Sequence, residues 1–149
     1  MTKDNFDKFV EDLQKEIIEK EIEDYNERIV ELFHNPKHWH QTTDEDFIVE
    51  SKYKGTCGDL MQFFLEIDEN DIIQKATFIT DGCGASVATG EQTALMTEGK
   101  SLEEAEKIFP TQIDQALNGL PQDHKHCASL AVRTLRSAIT KYRNSRSKK

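Results

Sequence analysis

A chain of 149 residues with 32% charged residues and a formal net charge of −9 is long enough for one compact domain plus an extension. This acidic balance fits a soluble protein and argues against a general nucleic-acid binder, which needs a basic face. No apolar run approaches the roughly 20 residues of a membrane span. The acidic opening Met1-Thr2-Lys3-Asp4-Asn5-Phe6-Asp7 lacks both the basic-then-apolar order of a secretory signal and the Arg/Ser-rich character of a transit peptide, so a cytoplasmic location is expected.

Residues 4–33 read as helical. Phe6, Phe9/Val10, Leu13 and Ile17 keep a three-and-four spacing, and Ile18, Ile22, Tyr25, Ile29 and Leu32/Phe33 continue it with the stripe rotated by about one residue. The offset predicts two helical segments, or one long helix whose halves face different surfaces. Glu/Lys pairs fill the other face. Asn35-Pro36 ends the run, because a residue before proline avoids the α region, and 36–46 read as a polar loop. Three strands follow, over 47–53, 59–67 and 72–80. The turn Asp68-Glu69-Asn70-Asp71 makes the last two a hairpin.

Helices fill the remainder. One runs from Ser86 to about Thr97 and ends at Gly99. Ser101 with Glu104 forms a capping box that opens another. Thr111–Leu117 is short, and Cys127 to about Tyr142 is the last, with Leu130, Ala131, Leu135, Ala138 and Ile139 on one face. Strands first and helices afterwards predict an α+β fold: a small antiparallel three-stranded sheet with helices on one face, preceded by an N-terminal helical extension. The expected divisions are the extension 1–24, a domain over 25–143, and a basic flexible tail over 144–149, read as a frayed helix end whose cations suit the dipole.

The three cysteines are odd in number and far apart, unlike a disulfide framework. In a reducing cytosol thiols persist as metal ligands, reactive groups or small buried hydrophobes. Their settings favour chemistry. Cys57 lies in Gly55-Thr56-Cys57-Gly58-Asp59 between two strands, where glycines permit a tight turn and Asp59 stands two residues on. Cys83 lies in Asp81-Gly82-Cys83-Gly84-Ala85-Ser86 before a helix, and Cys127 opens the last helix directly after His126. A helix N-terminus lowers a thiol's pKa and favours the thiolate. Soft thiolates select zinc, copper(I) or iron–sulfur clusters. Three cysteines with a histidine suffice for tetrahedral zinc, although the wide spacing is unlike a zinc finger. Three thiolates are one short of the four a stable cluster takes. A cluster finished by Asp59 or His126 is then held less firmly, which suits a carrier.

Over residues 25–142 the chain resembles the IscU/NifU-type iron–sulfur assembly scaffolds. The matching stretches are Tyr25 through Asn35-Pro36, Cys57-Gly58-Asp59, Gly82-Cys83-Gly84, Gly99-Lys100-Ser101-Leu102-Glu103-Glu104-Ala105, Leu120-Pro121 and His126-Cys127. The resemblance implies that a cysteine desulfurase delivers persulfide sulfur, that iron joins to form a transient [2Fe–2S] cluster, and that the cluster passes to apo iron–sulfur acceptor proteins. It implies Cys57, Cys83 and Cys127 as cluster ligands and sulfur acceptors, with Cys127 the first acceptor. It also implies Asp59 as the ligand that keeps the site labile and His126 as ligand or proton partner. Tyr25 matches a tyrosine associated with scaffold homodimers. The protein would be a carrier rather than an enzyme, with no nucleic-acid or membrane partner and with zinc held when empty.

Departures from the family pattern carry their own expectations. Members served by a dedicated Hsp70 chaperone carry Leu-Pro-Pro-Val-Lys before His-Cys. Here the run is Leu120-Pro121-Gln122-Asp123-His124, which argues against that chaperone and puts His124 where it would add a ligand. Lys125 is expected to point to solvent. The zinc-dependent SufU branch carries an insertion before the last cysteine and lacks the adjacent histidine; the present chain has no insertion and keeps His126. A zinc-bound sulfur-transfer protein is therefore the alternative, and a structural zinc domain, which unfolds without metal, the third reading. His34, His38 and His40 beside Trp39 are expected as surface histidines. Residues 1–24 are expected as a helix packed on the domain, with partner docking or self-association as the other reading.

Overall fold

The computed structural model describes residues 3–39, 49–54, 60–82 and 84–147. Helices α1 (Lys3–Asp24) and α2 (Glu27–His34) precede strands β1 (Val49–Lys54), β2 (Leu60–Ile67) and β3 (Ile73–Thr80). Helices α3 (Gly84–Thr97), α4 (Leu102–Glu106) and α5 (Pro110–Ala116), a 3-10 turn (Gln122–His124) and α6 (His126–Ser147) follow.

The predicted break in the first helical run falls at Tyr25–Asn26. Asn26 accepts from the Ile29 N–H at 2.9 Å, capping α2. Its amide also donates to the carbonyls of Leu117 (2.9 Å) and Gly119 (3.1 Å), tying α2 to the end of α5. The two halves of the stripe then part company. Ile29, Val30 and Leu32 are buried, whereas Phe6, Phe9, Leu13 and Ile17 of α1 are 47–58% exposed. Among the described residues the substantial neighbour of α1 is α2, to which Glu21 is tied by His34 at 2.6 Å.

The sheet is antiparallel in the order β1-β2-β3, as the strand pattern predicted. Its hairpin turn is closed by Asp68, whose carboxylate accepts from the N–H groups of Asn70 (2.8 Å) and Ile72 (3.0 Å). Those bonds hold its pKa below the usual range, the Ile72 bond foremost. Asp71 takes the left-handed conformation that finishes the turn (φ 62°). Phe63 pairs with Phe78 and Leu65 with Ala76. With Met61, Ile67 and Ile73 they form a buried inner face covered by α3 and α6. On α3, Thr89, Thr93 and Thr97 each donate to the carbonyl four residues back, at 2.6–2.7 Å, which lets a polar row lie buried. Gly90 lets that helix reach the sheet: a Cβ there would fall 2.5 Å from the Phe78 ring. Ser101 and Glu104 form the expected capping box, and its bonds hold the Glu104 carboxyl below the usual range. The final helix runs past its expected end near Tyr142 to Ser147, so 144–147 of the expected tail are helical. Arg143, paired with Glu106, ties that end of α6 to α4.

Candidate functional site

One end of the sheet gathers the flanks of the cysteine-bearing segments. Lys54 and Leu60 form the last pair of β1 with β2, and Met61 pairs with Thr80 at the last step of β2 with β3. Thr80 Oγ1 donates to the Leu60 carbonyl at 2.6 Å, and the Leu60 N–H donates to Asp81 Oδ1 at 2.6 Å. The Gly82 N–H donates to Thr80 Oγ1 at 3.1 Å. The chain that enters residue 60 and the chain that leaves residue 82 are therefore fastened together. Cys57, Asp59 and Cys83 themselves lie outside the described residues.

Cys127 arrives from the opposite direction, in the first turn of α6. Its thiol is 1% exposed. Sγ stands 3.6 Å from Oγ of Ser86, in the first turn of α3, and 3.9 Å from Nε2 of His126. The first turns of α3 and α6 thus meet at the sulfur. Neither contains an acidic residue, although the chain as a whole is strongly acidic. A helix N-terminus favours an anion, and these two first turns point theirs at the same sulfur.

An aromatic chain borders the same region. Tyr25 meets Phe33 edge-on (centroids 6.1 Å) and His124 at 5.7 Å, and His124 lies 6.4 Å from His126. Phe33 also leans on the start of α3. A Cβ at Gly84 would fall 3.0 Å from its ring, which gives the second glycine of Gly-Cys-Gly a packing reason. His124 and His126 are half-buried. Lys125 is exposed as expected, with its ammonium 3.3 Å from Asp114 Oδ2. Ser86 escaped the sequence reading, although it stands one helical turn after Cys83; only the packing of α3 on α6 identifies it.

The histidines near Trp39 divide. His34 stays at the surface and pairs with Glu21 at 2.6 Å, and His40 lies outside the described residues. His38 is not the expected surface histidine: its side chain is only 14% exposed. Nδ1 lies 2.8 Å from Glu91 Oε1 and Nε2 lies 3.1 Å from Glu98 Oε2. Glu91, 2% exposed in the middle of α3, also accepts the N–H groups of Lys37 (3.0 Å) and His38 (2.9 Å). The Phe78 N–H donates to the His38 carbonyl at 2.9 Å. Burial alone would lower the imidazole pKa, but the bonds to Glu91 and Glu98 and their charges outweigh it, and the net shift is upward. This cluster straps 36–39 onto α3 and β3. Among the described residues no group of three or more His, Cys, Asp or Glu is arranged to hold a metal ion.

Residues 24–149 match the NifU-like N-terminal domain family. The iron-sulfur cluster assembly scaffold protein IscU 1 of Archaeoglobus fulgidus is 36% identical over 118 residues, covering 79% of this chain and 76% of its own. The scaffold protein IscU of Haemophilus influenzae is also 36% identical, over 80% of this chain and 95% of its own. The crystal structure of the N-terminal part of a NifU-like protein from Brucella abortus superposes with a TM-score of 0.57. It shares 16% identity and covers 77% of this chain and 91% of its own, a likeness of fold.

Proposed function

The chain belongs to the NifU-like N-terminal domain family, and we propose that it is a scaffold on which a labile [2Fe–2S] cluster is built and then released to apo-proteins. The observation that carries the reading is the joint occurrence of Cys57-Gly58-Asp59, Gly82-Cys83-Gly84 and His126-Cys127 in a chain 36% identical to scaffolds named for this task. Support comes from the fastening of residues 60 and 82 at one sheet end and from the contact of Cys127 with the start of α3.

In this reading Cys57, Cys83 and Cys127 bind iron as thiolates. Asp59, a harder donor, leaves one iron more weakly held, and His126 serves as ligand or proton partner. Sulfur enters by attack of the Cys127 thiolate on the outer sulfur of a desulfurase persulfide. The Cys127 S–S bond forms, the donor's S–S bond breaks, and the donor cysteine leaves as thiolate. Each sulfane sulfur then takes two electrons to become sulfide, supplied by a ferredoxin- or thiol-class reductant. The cluster is cargo, and zinc occupies the same donors when no cluster is present. The protein turns over no small-molecule substrate of its own. Its partners are a cysteine desulfurase and apo iron–sulfur proteins, its setting is the cytoplasm, and the run Leu120-Pro121-Gln122-Asp123-His124 argues against recognition by a dedicated Hsp70 chaperone. Among the described residues no helix is long and apolar enough to cross a membrane.

The test is anaerobic reconstitution with ferrous iron, cysteine, a desulfurase and a thiol reductant, followed by ultraviolet–visible and Mössbauer spectra. The expected result is a [2Fe–2S] signal that moves to an apo-ferredoxin, and its loss in a folded Cys83→Ser variant. A normal cluster on that variant would remove Cys83 from the ligand set. Bound zinc with a Cys127 persulfide and no cluster would replace the scaffold by the sulfur-transfer reading.

A further inference from the structure

Ser86 stands beside the Cys127 sulfur, and we propose that it is a positioning residue for sulfur carried there. Its hydroxyl donates to that sulfur and keeps a loaded persulfide in the seam between α3 and α6, withheld from small thiols in solution. The proposal deepens the scaffold reading and rests on one part of it, that Cys127 carries sulfur.

Ser86 is 0% exposed in the first turn of α3, and a buried hydroxyl costs stability unless it is bonded. The other buried hydroxyls of this helix are settled on the helix itself: Thr89, Thr93 and Thr97 each donate to the carbonyl four residues back. The residue four back from Ser86 is Gly82, which precedes α3. The Ser86 hydroxyl reaches across to a second helix, with Oγ 3.6 Å from Cys127 Sγ over a separation of 41 positions. Packing alone does not call for an oxygen here. Ala85, Ala88 and Ala128 fill the same buried cluster with no polar side-chain atom to satisfy. A thiolate or persulfide anion has no proton to give, so with sulfur in its reactive form the hydroxyl is the donor. Hydrogen bonds to an ionised partner are roughly twice as strong as neutral ones. Of the two groups beside Sγ, His126 is half-buried and Ser86 fully buried, so Ser86 holds the sulfur from the core side. The helix N-termini favour negative charge there, and the hydroxyl adds a bond with a direction. A bond made to the resting persulfide and lost during attack on it slows the attack.

The test uses the metal-free, reduced full chain in a Cys57→Ser/Cys83→Ser background, which leaves Cys127 as the single thiol. Inorganic polysulfide loads it. The Cys127 thiolate attacks a polysulfide sulfur, the Sγ–S bond forms, an S–S bond breaks, and the shortened polysulfide leaves with the electron pair. Dithiothreitol then removes the added sulfur, and the persulfide is followed by mass spectrometry of the peptide that contains Cys127. Ser86→Ala is expected to keep the circular dichroism of its parent, to load, and to lose its sulfur roughly tenfold faster, as the loss of one charge-assisted bond requires. Ser86→Thr, which keeps the hydroxyl, should stay within about threefold of the parent, and Ser86→Val, of similar shape without it, should behave as Ser86→Ala. Equal rates in the parent and Ser86→Ala overturn the proposal. So does a threonine variant as fast as the valine one, which reduces Ser86 to packing. Where the two larger residues do not fit the seam, the alanine comparison decides alone. A desulfurase in place of polysulfide separates this claim from the scaffold reading. No persulfide from that donor, with the Ser86 effect intact under polysulfide, overturns the reading and supports the role of Ser86; no persulfide from either donor overturns both.

Discussion

Glu91→Ala removes the one carboxylate that three donors share. Glu91 is 2% exposed and accepts the Lys37 N–H, the His38 N–H and the His38 ring at 2.8–3.0 Å. Removing one partner of a buried charged pair costs about 3–5 kcal/mol. His38 keeps Glu98 at 3.1 Å, so the expected loss is near the lower figure, about 3 kcal/mol. In a domain of this size each kcal/mol moves Tm by about 2–4 °C, which predicts a fall of roughly 6–12 °C. The loss should depend on pH in a fixed direction. The His38 pKa is raised in the folded protein, so the stabilisation it brings is complete below about 6.5, the unfolded value. It fades as pH rises through the higher folded value. Thermal and urea melts of wild type and Glu91→Ala at pH 6 and pH 9 measure this, and the gap between them should narrow at pH 9. A gap below about 1 kcal/mol, or one equal at both pH values, would refute the assignment of His38 and Glu91 as a charged strap.

Gly90→Ala sets a Cβ 2.5 Å from the fully buried Phe78 ring; overpacking of about 1–3 kcal/mol, less about 1 kcal/mol of gained helix propensity, predicts a net loss of up to about 2 kcal/mol by urea denaturation. Asp59→Ala should hold its cluster longer and transfer it to apo-ferredoxin more slowly than wild type, because the softer remaining donors bind iron more firmly; faster transfer would reverse the role given to Asp59. Native Cys127, at 1% exposure, should react with iodoacetamide at least about tenfold more slowly than in the denatured chain, read by mass spectrometry of the peptide that contains it. Equal rates would show that the Ser86 and His126 contacts do not shield the sulfur.

What the sequence made legible was local. The Asp68 turn and the Ser101–Glu104 box are written in residues within four positions of one another, and the strand-like runs 59–67 and 72–80 marked β2 and β3 to within a residue. The cysteine triplets were legible because each sits beside glycine, aspartate or histidine at an element boundary. Relations across distance were not. The His38–Glu91 pair spans 53 positions, and a glutamate inside a helix carries no mark of burial until β3 and the 36–39 segment pack around it. Ser86 meets Cys127 across 41 positions for the same reason. The exposure of Phe6, Phe9, Leu13 and Ile17 on α1 was not legible either, because an apolar stripe states only that something can cover it, not what does.

Burial of Cys127 bears on how sulfur and iron divide the work of the site. Persulfide transfer needs an approach to Sγ along the donor's S–S axis, and Ser86 Oγ and His126 Nε2 stand within 3.6 and 3.9 Å of that atom. Both contacts are weak ones to sulfur, unlike the core beneath: Ala128, Ala131 and Leu135 are at most 2% exposed. The first turn of α6 follows the 3-10 turn Gln122–His124, whose residues are exposed or half-buried, so opening there uncovers chiefly Cys127 and Ala128 of the core. The rest of α6, packed on α3 and the sheet, stays fixed. Lifting His126 and the first turn would free the thiolate for a donor without unfolding the domain, and its return would hold the loaded sulfur against the N-terminus of α3. On the scaffold reading proposed above, an opened turn would accept sulfur and a closed one would present His126 and Cys127 together to iron.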